Sequence, residues 1–235
     1  MERLKVIYED DNVLIIDKPA GLVVFPEGNF DGTEKTLIDY LTEEHPDLKN
    51  VNNPPRYGIV HRLDRETSGI ILVAKNNESL AFLQKQFQEK KVIKAYTALV
   101  VGNLSDDQGI IKTLIGRSPK NRLKQRTYSL LKTGKGLREA ITEYKVLQNF
   151  QNYALIEVDI KTGRKHQIRC HFNYLSHPIA GDKFYGFKNQ PCPTGLKRQF
   201  LHASRMEITL PDNKNLKLVS ELPEDLQEVL NKLKK

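Results

Sequence analysis

The sequence predicts an α+β fold in which a mixed, mostly antiparallel sheet is flanked by helices. Alternating apolar residues occur in neighbouring pairs of segments, and turn-forming residues separate the members of each pair, as in β-hairpins. A few stretches have the apolar spacing of a helix, and they do not alternate regularly with single strands. This order is typical of an antiparallel sheet rather than a doubly wound parallel one.

The first part of the chain contains a hairpin, two strands and two helices by these criteria. Its last helix has a stripe formed by Leu80, Leu83 and Phe87, and Asn76 or Asn77 can cap it. The predicted elements are a hairpin over residues 6–17, a helix over 36–44, a strand over 70–74, a helix over 77–89 and a strand over 92–101.

The second part is richer in strands and ends with an amphipathic helix. On the helix that follows Thr162, Ile168 belongs to the apolar stripe, whereas Arg169 points away from it. The predicted elements are a short strand over residues 110–115, a hairpin over 140–160, a helix over 165–176, strands over 200–210 and 216–219, and a helix over 223–233.

Composition favours a cytoplasmic protein with a polyanionic partner. The 235 residues carry a net charge of +8, and the pI of about 9.3 is typical of proteins that bind nucleic acids. No apolar run is long enough to span a membrane, and the N-terminus lacks a signal peptide. Cys170 and Cys192 are too few for a disulfide framework, so reduced thiols are expected.

The positive charge is concentrated in residues 117–138, which we name the basic segment. No acidic residue occurs between Asp107 and Glu139, and the segment is predicted to be a loop or hairpin at a sheet. A solvated loop is the alternative, but contacts with phosphates explain an uncompensated charge better. The cations are Arg117, Lys120, Arg122, Lys124, Arg126, Lys132, Lys135 and Arg138.

A second charged segment, residues 61–69 (His-Arg-Leu-Asp-Arg-Glu-Thr-Ser-Gly), runs directly into the predicted strand at 70–74. Within it, Asp64 lies between Arg62 and Arg65, and nearby guanidinium groups favour an ionised carboxylate. Such a carboxylate can be a nucleophile, a base or one half of a structural ion pair. Composition alone favours the structural ion pair.

Other kinds of site fit the sequence less well. Cysteine and histidine cluster over residues 166–177, but without a Cys-x-x-Cys pair or two histidines on one helix face, so zinc is not expected. Residues 134–136 lack the spacing of a phosphate-binding loop. The His-Arg-x-Asp order at 61–64 matches part of a kinase catalytic loop, without its companion motifs. A ribonuclease with His61 as its base stays open.

The 61–69 segment resembles the signature of the RluA family of RNA pseudouridine synthases when it is considered with the other motifs of that family. The motifs occur in the family's order and span most of the chain, and together they are far more specific than any one alone. They are residues 17–22, 61–69, 94–96, 162–171 with the continuation 177–182, and 198–203.

The resemblance implies the pseudouridine synthase fold with a central RNA-binding cleft, and isomerisation of uridine to pseudouridine in ribosomal or transfer RNA. It makes Asp64 the catalytic aspartate, which attacks C1′ of the ribose or removes the 2′ proton. Tyr96 would stack on the uracil and help to remove the C5 proton, as a second catalytic residue. Arg169 would pair with Asp64, and Ile168 would pack against the base. Arg62 would fill the space of the flipped nucleotide or hold a phosphate.

We therefore expect residues 1–235 to form one catalytic domain without an S4 domain, acting as a monomer that needs neither a metal nor a nucleotide cofactor. RNA would be held by the basic segment, above all by Arg122, Lys124 and Arg126. A non-catalytic RNA-binding or ribosome assembly factor is the alternative from another class.

Overall fold

The structure, a computed structural model, describes residues 4–26, 30 and 32–234. It contains ten strands, four α-helices and a short 3₁₀ helix over Pro46–Asn50 among these residues. The strands are β1 (Lys5–Glu9), β2 (Val13–Lys18), β3 (Ser68–Ala74), β4 (Ile93–Val101), β5 (Gln108–Arg117), β6 (Gln125–Tyr128), β7 (Arg138–Asn149), β8 (Tyr153–Ile160), β9 (Leu201–Thr209) and β10 (Asn215–Val219). The helices are α1 (Leu37–Glu44), α2 (Asn77–Gln88), α3 (Gln167–Tyr174) and α4 (Glu224–Leu233).

The fold is α+β, with mixed and mostly antiparallel β-structure and flanking helices, as the sequence predicted. The chain divides into two compact units, one drawn from Met1–Val92 and Ala203–Glu221 and the other from Ile93–His202 and Leu222–Lys235. The two units are described in turn, each from its own residues.

The first unit is built on β2 and β3, which are buried on both faces. β2 pairs antiparallel with β1 and with β3, and β3 is the hydrogen-bonded neighbour of β9, which in turn pairs antiparallel with β10. The β-branched and leucine side chains of both central strands are almost fully buried, as expected for a strand covered on two faces. Helix α2 packs against β3, and the side chain of Asn76 caps it by accepting the amide of Ser79.

The second unit is an antiparallel sheet with the strand order β4-β8-β7-β5-β6. Helix α3 packs against β6 and β7. Helix α4 buries Leu226 and Val229 against a core that includes Leu99, Tyr153 and Phe200. The helix is therefore part of the hydrophobic core of this unit.

Most of the predicted elements are confirmed. In the first unit only the short 3₁₀ helix over Pro46–Asn50 was not predicted among the described residues, and the larger differences lie in the second unit. The strand predicted over 110–115 extends over all of β5, because its outer residues pair with β7 and, at the end, with β6. Strand β6 was not predicted, since it lies inside the basic segment and has no run of apolar residues. Helix α3 is shorter than predicted. His166 adopts a left-handed conformation with φ 56°, so the helix begins only at Gln167.

In the part of the chain that the structure describes, no helix is both long enough and apolar enough to cross a bilayer.

Candidate active site

A buried lysine joins two loops of the first unit. Lys18, the last residue of β2, has 0% of its surface exposed. Its ammonium group donates hydrogen bonds to the carbonyl oxygens of Pro19 at 2.8 Å, Leu22 at 2.9 Å and Arg65 at 3.1 Å. Since an ammonium has three protons and a buried charge is costly without partners, these carbonyls make its burial possible. The lysine thereby ties the loop after β2 to the 61–69 segment.

The 61–69 segment carries Asp64 on a tight turn. The amide of Thr67 donates to the carbonyl of Asp64 at 3.0 Å and closes the turn. Leu63 and Thr67, one on either side, are 4% and 2% exposed, whereas Asp64 itself is only half-buried. The turn therefore has buried anchors on both sides and leaves the carboxylate accessible.

Gly69 ends this segment at a point where the backbone passes very close to β9. Its φ is +111°, a conformation that other residues rarely adopt, and a Cβ atom there would lie 2.2 Å from the carbonyl oxygen of Ala203. Only glycine lets the first residues of β3 pass this close to β9.

The two arginines next to Asp64 differ in their surroundings. Arg65 is exposed; its guanidinium donates to the carbonyl of Gly21 at 3.0 Å and forms an ion pair of 2.7 Å with Glu34. Arg62 is half-buried and its guanidinium lies 5.6 Å from the ring centre of Phe25. Burial lowers the pKa of Arg62, and the negative charge of Asp64 opposes that change. Asp64 and Arg62 thus interact electrostatically.

His61 has a structural role in the first unit. Its Nε2 atom accepts a hydrogen bond of 3.1 Å from the backbone amide of Leu72. Its ring stacks on Phe87 with 5.2 Å between the ring centres. A nitrogen that accepts a strand amide is engaged in holding the fold, so the geometry gives no support to His61 as the base of a ribonuclease.

Tyr96 lies on β4 in the second unit and is 8% exposed. Lys94 lies two residues earlier, on the same face of the strand, and is equally buried. Burial and the positive charge of Lys161 lower the pKa of Lys94 to about 8. The predicted Lys-x-Tyr motif thus presents two buried polar side chains on one face.

Arg169 and Ile168 lie on α3, where Arg169 is buried at 8% exposure although it lies off the apolar stripe. Its guanidinium donates to both carboxylate oxygens of Asp182, with Nε to Oδ2 at 2.7 Å and Nη2 to Oδ1 at 2.9 Å. Planar two-point pairing of this kind fixes the orientation of an arginine. The sequence interpretation gave Asp182 no role, although residue 182 ends the fourth motif.

Polar side chains of α3 form hydrogen bonds with the sheet against which the helix packs. His171 is fully buried, and its two ring nitrogens lie 2.8 Å from the hydroxyl of Thr142 and 3.0 Å from that of Thr113. Gln167 donates to the same Thr142 hydroxyl at 2.9 Å. Burial lowers the pKa of His171 to about 4, so the imidazole is neutral at physiological pH. These contacts set the position of Arg169 and Ile168 on the sheet.

The basic segment forms the turn from β5 to β6, β6 itself and the loop that leads into β7. The amide of Lys124 donates to the carbonyl of Asn121 at 2.9 Å and the amide of Ser118 to the carbonyl of Lys124 at 3.0 Å, which closes the turn. Arg122 and Arg126 are exposed, whereas Lys124 is half-buried. The prediction of a loop or hairpin at a sheet is confirmed.

The predicted site residues therefore fall into two groups. Asp64 and Arg62 lie in the first unit; Tyr96, Ile168, Arg169 and the three basic-segment cations lie in the second. The pairing of Arg169 with Asp64 stays a prediction, whereas its pairing with Asp182 is a feature of the second unit.

Comparison with known proteins gives consistent matches. Residues 12–174 match a family model described as RNA pseudouridylate synthase. The chain is 41% identical to ribosomal large subunit pseudouridine synthase D of Nitrosomonas europaea, over 98% of this chain and 65% of the relative. It is 40% identical to the protein of the same name from Neisseria meningitidis, over 98% of this chain and 61% of the relative. This chain thus spans less than two thirds of the length of these relatives.

A solved structure has a similar fold. The human RNA pseudouridylate synthase domain containing 4 superposes with a TM-score of 0.75 at 26% sequence identity, over 97% of this chain and 92% of the other.

Replacement of Lys18 by Met should destabilise the protein by about 3 kcal/mol, because the buried carbonyls of Pro19, Leu22 and Arg65 lose their donor. The free energy of unfolding from urea titration measures the effect. Lys5→Met is the matched control on the same hairpin, since the ion pair of Lys5 with Asp17 is exposed and its loss should cost less than about 1 kcal/mol. Equal effects of the two substitutions would contradict the structural role of Lys18.

Stability should fall as the pH is lowered from about 6.5 to about 4, because the unfolded chain protonates His171 in this range and the folded protein does not. The depressed pKa of the buried imidazole corresponds to a loss of about 3 kcal/mol over the whole interval. Unfolding titrations at several pH values measure the slope. His171→Gln removes the titrating group, so its slope should be smaller; an unchanged slope would show that other groups cause the loss.

Proposed function

The chain belongs to the RNA pseudouridylate synthase family, and from this premise we propose that it isomerises uridine to pseudouridine within RNA, with Asp64 as the catalytic carboxylate. The observation that carries the proposal is the turn of the 61–69 segment. It presents a half-buried carboxylate beside Arg62 and is anchored through the Arg65 carbonyl to the buried Lys18. A positioned, ionised carboxylate is what either route of the reaction needs.

The reaction exchanges one bond to the ribose for another. The bond between N1 of uracil and C1′ is broken, the uracil turns, and C5 is joined to C1′; the proton lost from C5 is balanced by one gained at N1. Asp64 starts the reaction either by attacking C1′ or by removing the 2′ proton. Both routes use the same ionised group.

The other roles follow the family motifs. We assign Tyr96 to stacking on the flipped uracil, Ile168 to apolar contact with the base, and Arg169 to pairing with the carboxylate. Burial of Tyr96 and Ile168 supports their roles, since an aromatic face offsets part of the stacking that a flipped base loses. Asp182 is a positioning residue in this assignment, because it fixes the guanidinium of Arg169. Arg62 holds the flipped nucleotide or a neighbouring phosphate.

RNA is the partner, and Arg122, Lys124 and Arg126 on the β5–β6 hairpin are assigned to its phosphates. Ribosomal RNA is the favoured substrate because the similar proteins from Nitrosomonas europaea and Neisseria meningitidis are named for the large ribosomal subunit. Transfer RNA is the alternative. The assignment includes a monomer that acts in the cytoplasm as one catalytic domain, without a metal or a nucleotide cofactor.

Replacement of Asp64 by Asn should lower pseudouridine formation at least about 10³-fold while RNA binding is largely kept, because the amide is neither a nucleophile nor a base. Pseudouridine mapping of total RNA, from cells lacking the gene and supplied with each variant, gives the measurement and the modified site. Glu66→Gln is the matched control, since Glu66 is an exposed carboxylate on the same turn.

Three results would contradict this assignment. Pseudouridine formation by the Asp64→Asn variant at the wild-type rate would remove Asp64 from the mechanism. RNA cleavage by the wild-type protein, without pseudouridine, would instead support a ribonuclease. Rescue of a growth defect by Asp64→Ala as well as by the wild type would support a non-catalytic RNA-binding factor.

Replacement of Arg122, Lys124 and Arg126 together by Gln should weaken RNA binding and reduce the slope of log Kd against log salt by about 2 to 3, since each phosphate contact contributes about 0.7 to 0.9. Binding measured at a series of salt concentrations gives the slope. Lys5, Lys35 and Lys49 replaced by Gln give a control with the same loss of net charge in the first unit. If both triple variants have the same slope, the hairpin has no special part in RNA binding.

A further inference from the structure

An exposed aromatic ring lies among cations in the second unit, directly after Asp182. Phe184 is 38% exposed, whereas its neighbour Tyr185 is 7% exposed, and their ring centres are 6.4 Å apart. The ring of His166 meets both at steep angles, with 6.3 Å to Phe184 and 5.6 Å to Tyr185. Phe184 is therefore the exposed edge of a packed aromatic cluster.

The backbone that carries Phe184 is held in place. Oδ1 of Asp182 accepts the amides of Phe184 at 2.8 Å and Tyr185 at 3.1 Å. The hydroxyl of Tyr185 accepts the amide of Gln125 at 2.8 Å and lies 2.8 Å from Nδ1 of His166. The exposed ring thus projects from a segment whose conformation is fixed, and ordering it on binding costs little entropy.

Two cations lie over these rings. The ammonium of Lys124 is 5.6 Å from the ring centre of Phe184, and the guanidinium carbon of Arg169 is 5.7 Å from it. Arg169 is neutralised by Asp182. For Lys124, the residues that the structure describes provide no carboxylate within 4.0 Å, and the surrounding basic segment has no acidic residue. A positive charge beside an exposed ring is thus left for an anion from another molecule.

We propose that Phe184 is a stacking platform for an unpaired nucleobase of the RNA, and that Lys124 binds the phosphate next to that base. An aromatic face accepts any base by stacking, and a lysine beside it supplies the charge that the backbone needs. This inference rests on the proposed function, because it adds to the protein a second position that binds a base of the same RNA. An acidic protein partner would fit the positive charge of the hairpin, but the exposed ring of Phe184 beside Lys124 favours a partner with bases that stack.

The chain contains no tryptophan, and this makes a direct test possible. Phe184→Trp introduces a single tryptophan on the platform, which can be excited apart from the tyrosines, and a single-stranded RNA oligonucleotide of mixed sequence should quench its fluorescence by stacking. Phe187→Trp is the matched control, because Phe187 is exposed and close in sequence but belongs to none of the ring or cation contacts described for Phe184. Quenching in neither protein, or equal quenching in both, would overturn the proposal.

Binding of the same oligonucleotide gives the second measurement. Phe184→Leu keeps an apolar side chain but removes the ring, so Kd should rise about tenfold with an unchanged salt slope, whereas Phe184→Trp should bind as the wild type does. Lys124→Gln should lower the salt slope by about 0.7. Wild-type binding by Phe184→Leu would overturn the role of the ring, and an unchanged slope for Lys124→Gln would overturn the phosphate contact.

These outcomes are separable from the proposed function. A protein that quenches and binds as expected but forms no pseudouridine would contradict the catalytic assignment and leave the platform in place. If the wild-type protein forms pseudouridine and the Phe184→Leu variant binds the oligonucleotide normally, the platform is contradicted and the catalytic assignment is kept. Thermal unfolding of each variant shows whether a loss of binding reflects loss of the fold.

Discussion

The position of the candidate catalytic carboxylate depends on one buried positive charge. The ammonium of Lys18 is kept from water, and carbonyl oxygens from the loop after β2 and from the 61–69 segment take the place of its hydration. Neither segment can move away without leaving a buried charge unsolvated, which is costly. The turn that carries Asp64 is therefore in place before any substrate binds, and binding energy is not needed to order it.

In the second unit a buried charge also positions the groups around it, but this charge is negative. The buried carboxylate of Asp182 holds the guanidinium of Arg169 and, through one oxygen, the amides of Phe184 and Tyr185. A buried ion pair of this kind adds little net stability in general, but it restricts geometry strongly. The arginine assigned to catalysis and the backbone of the ring assigned to base stacking consequently share a single anchor, Asp182.

Local patterns in the sequence predicted the hairpins, the buried strand β3 and the cap of α2, because each depends on a few neighbouring residues. The extent of β5 and the presence of β6 were not predictable in this way. These strands are stabilised by the pairing of β5 with β7 and with β6, and not by alternating apolar residues. The motifs indicated the family and the candidate residues Asp64, Tyr96 and Arg169. They did not reveal what Lys18 and Asp182 do, because partners 47 and 13 residues away become visible only in the fold.

Gly69 restricts how this sequence can drift during evolution. Its left-handed backbone and the 2.2 Å approach of the Ala203 carbonyl to a Cβ atom leave no room for a side chain, so this constraint on position 69 does not depend on what the protein binds. Glu66, exposed on the same segment, meets no such barrier. Two separate constraints thus act on the 61–69 segment, one on backbone geometry at Gly69 and one on chemistry at Asp64. An invariant residue in an alignment of this segment would look the same under either constraint, and only the fold distinguishes them.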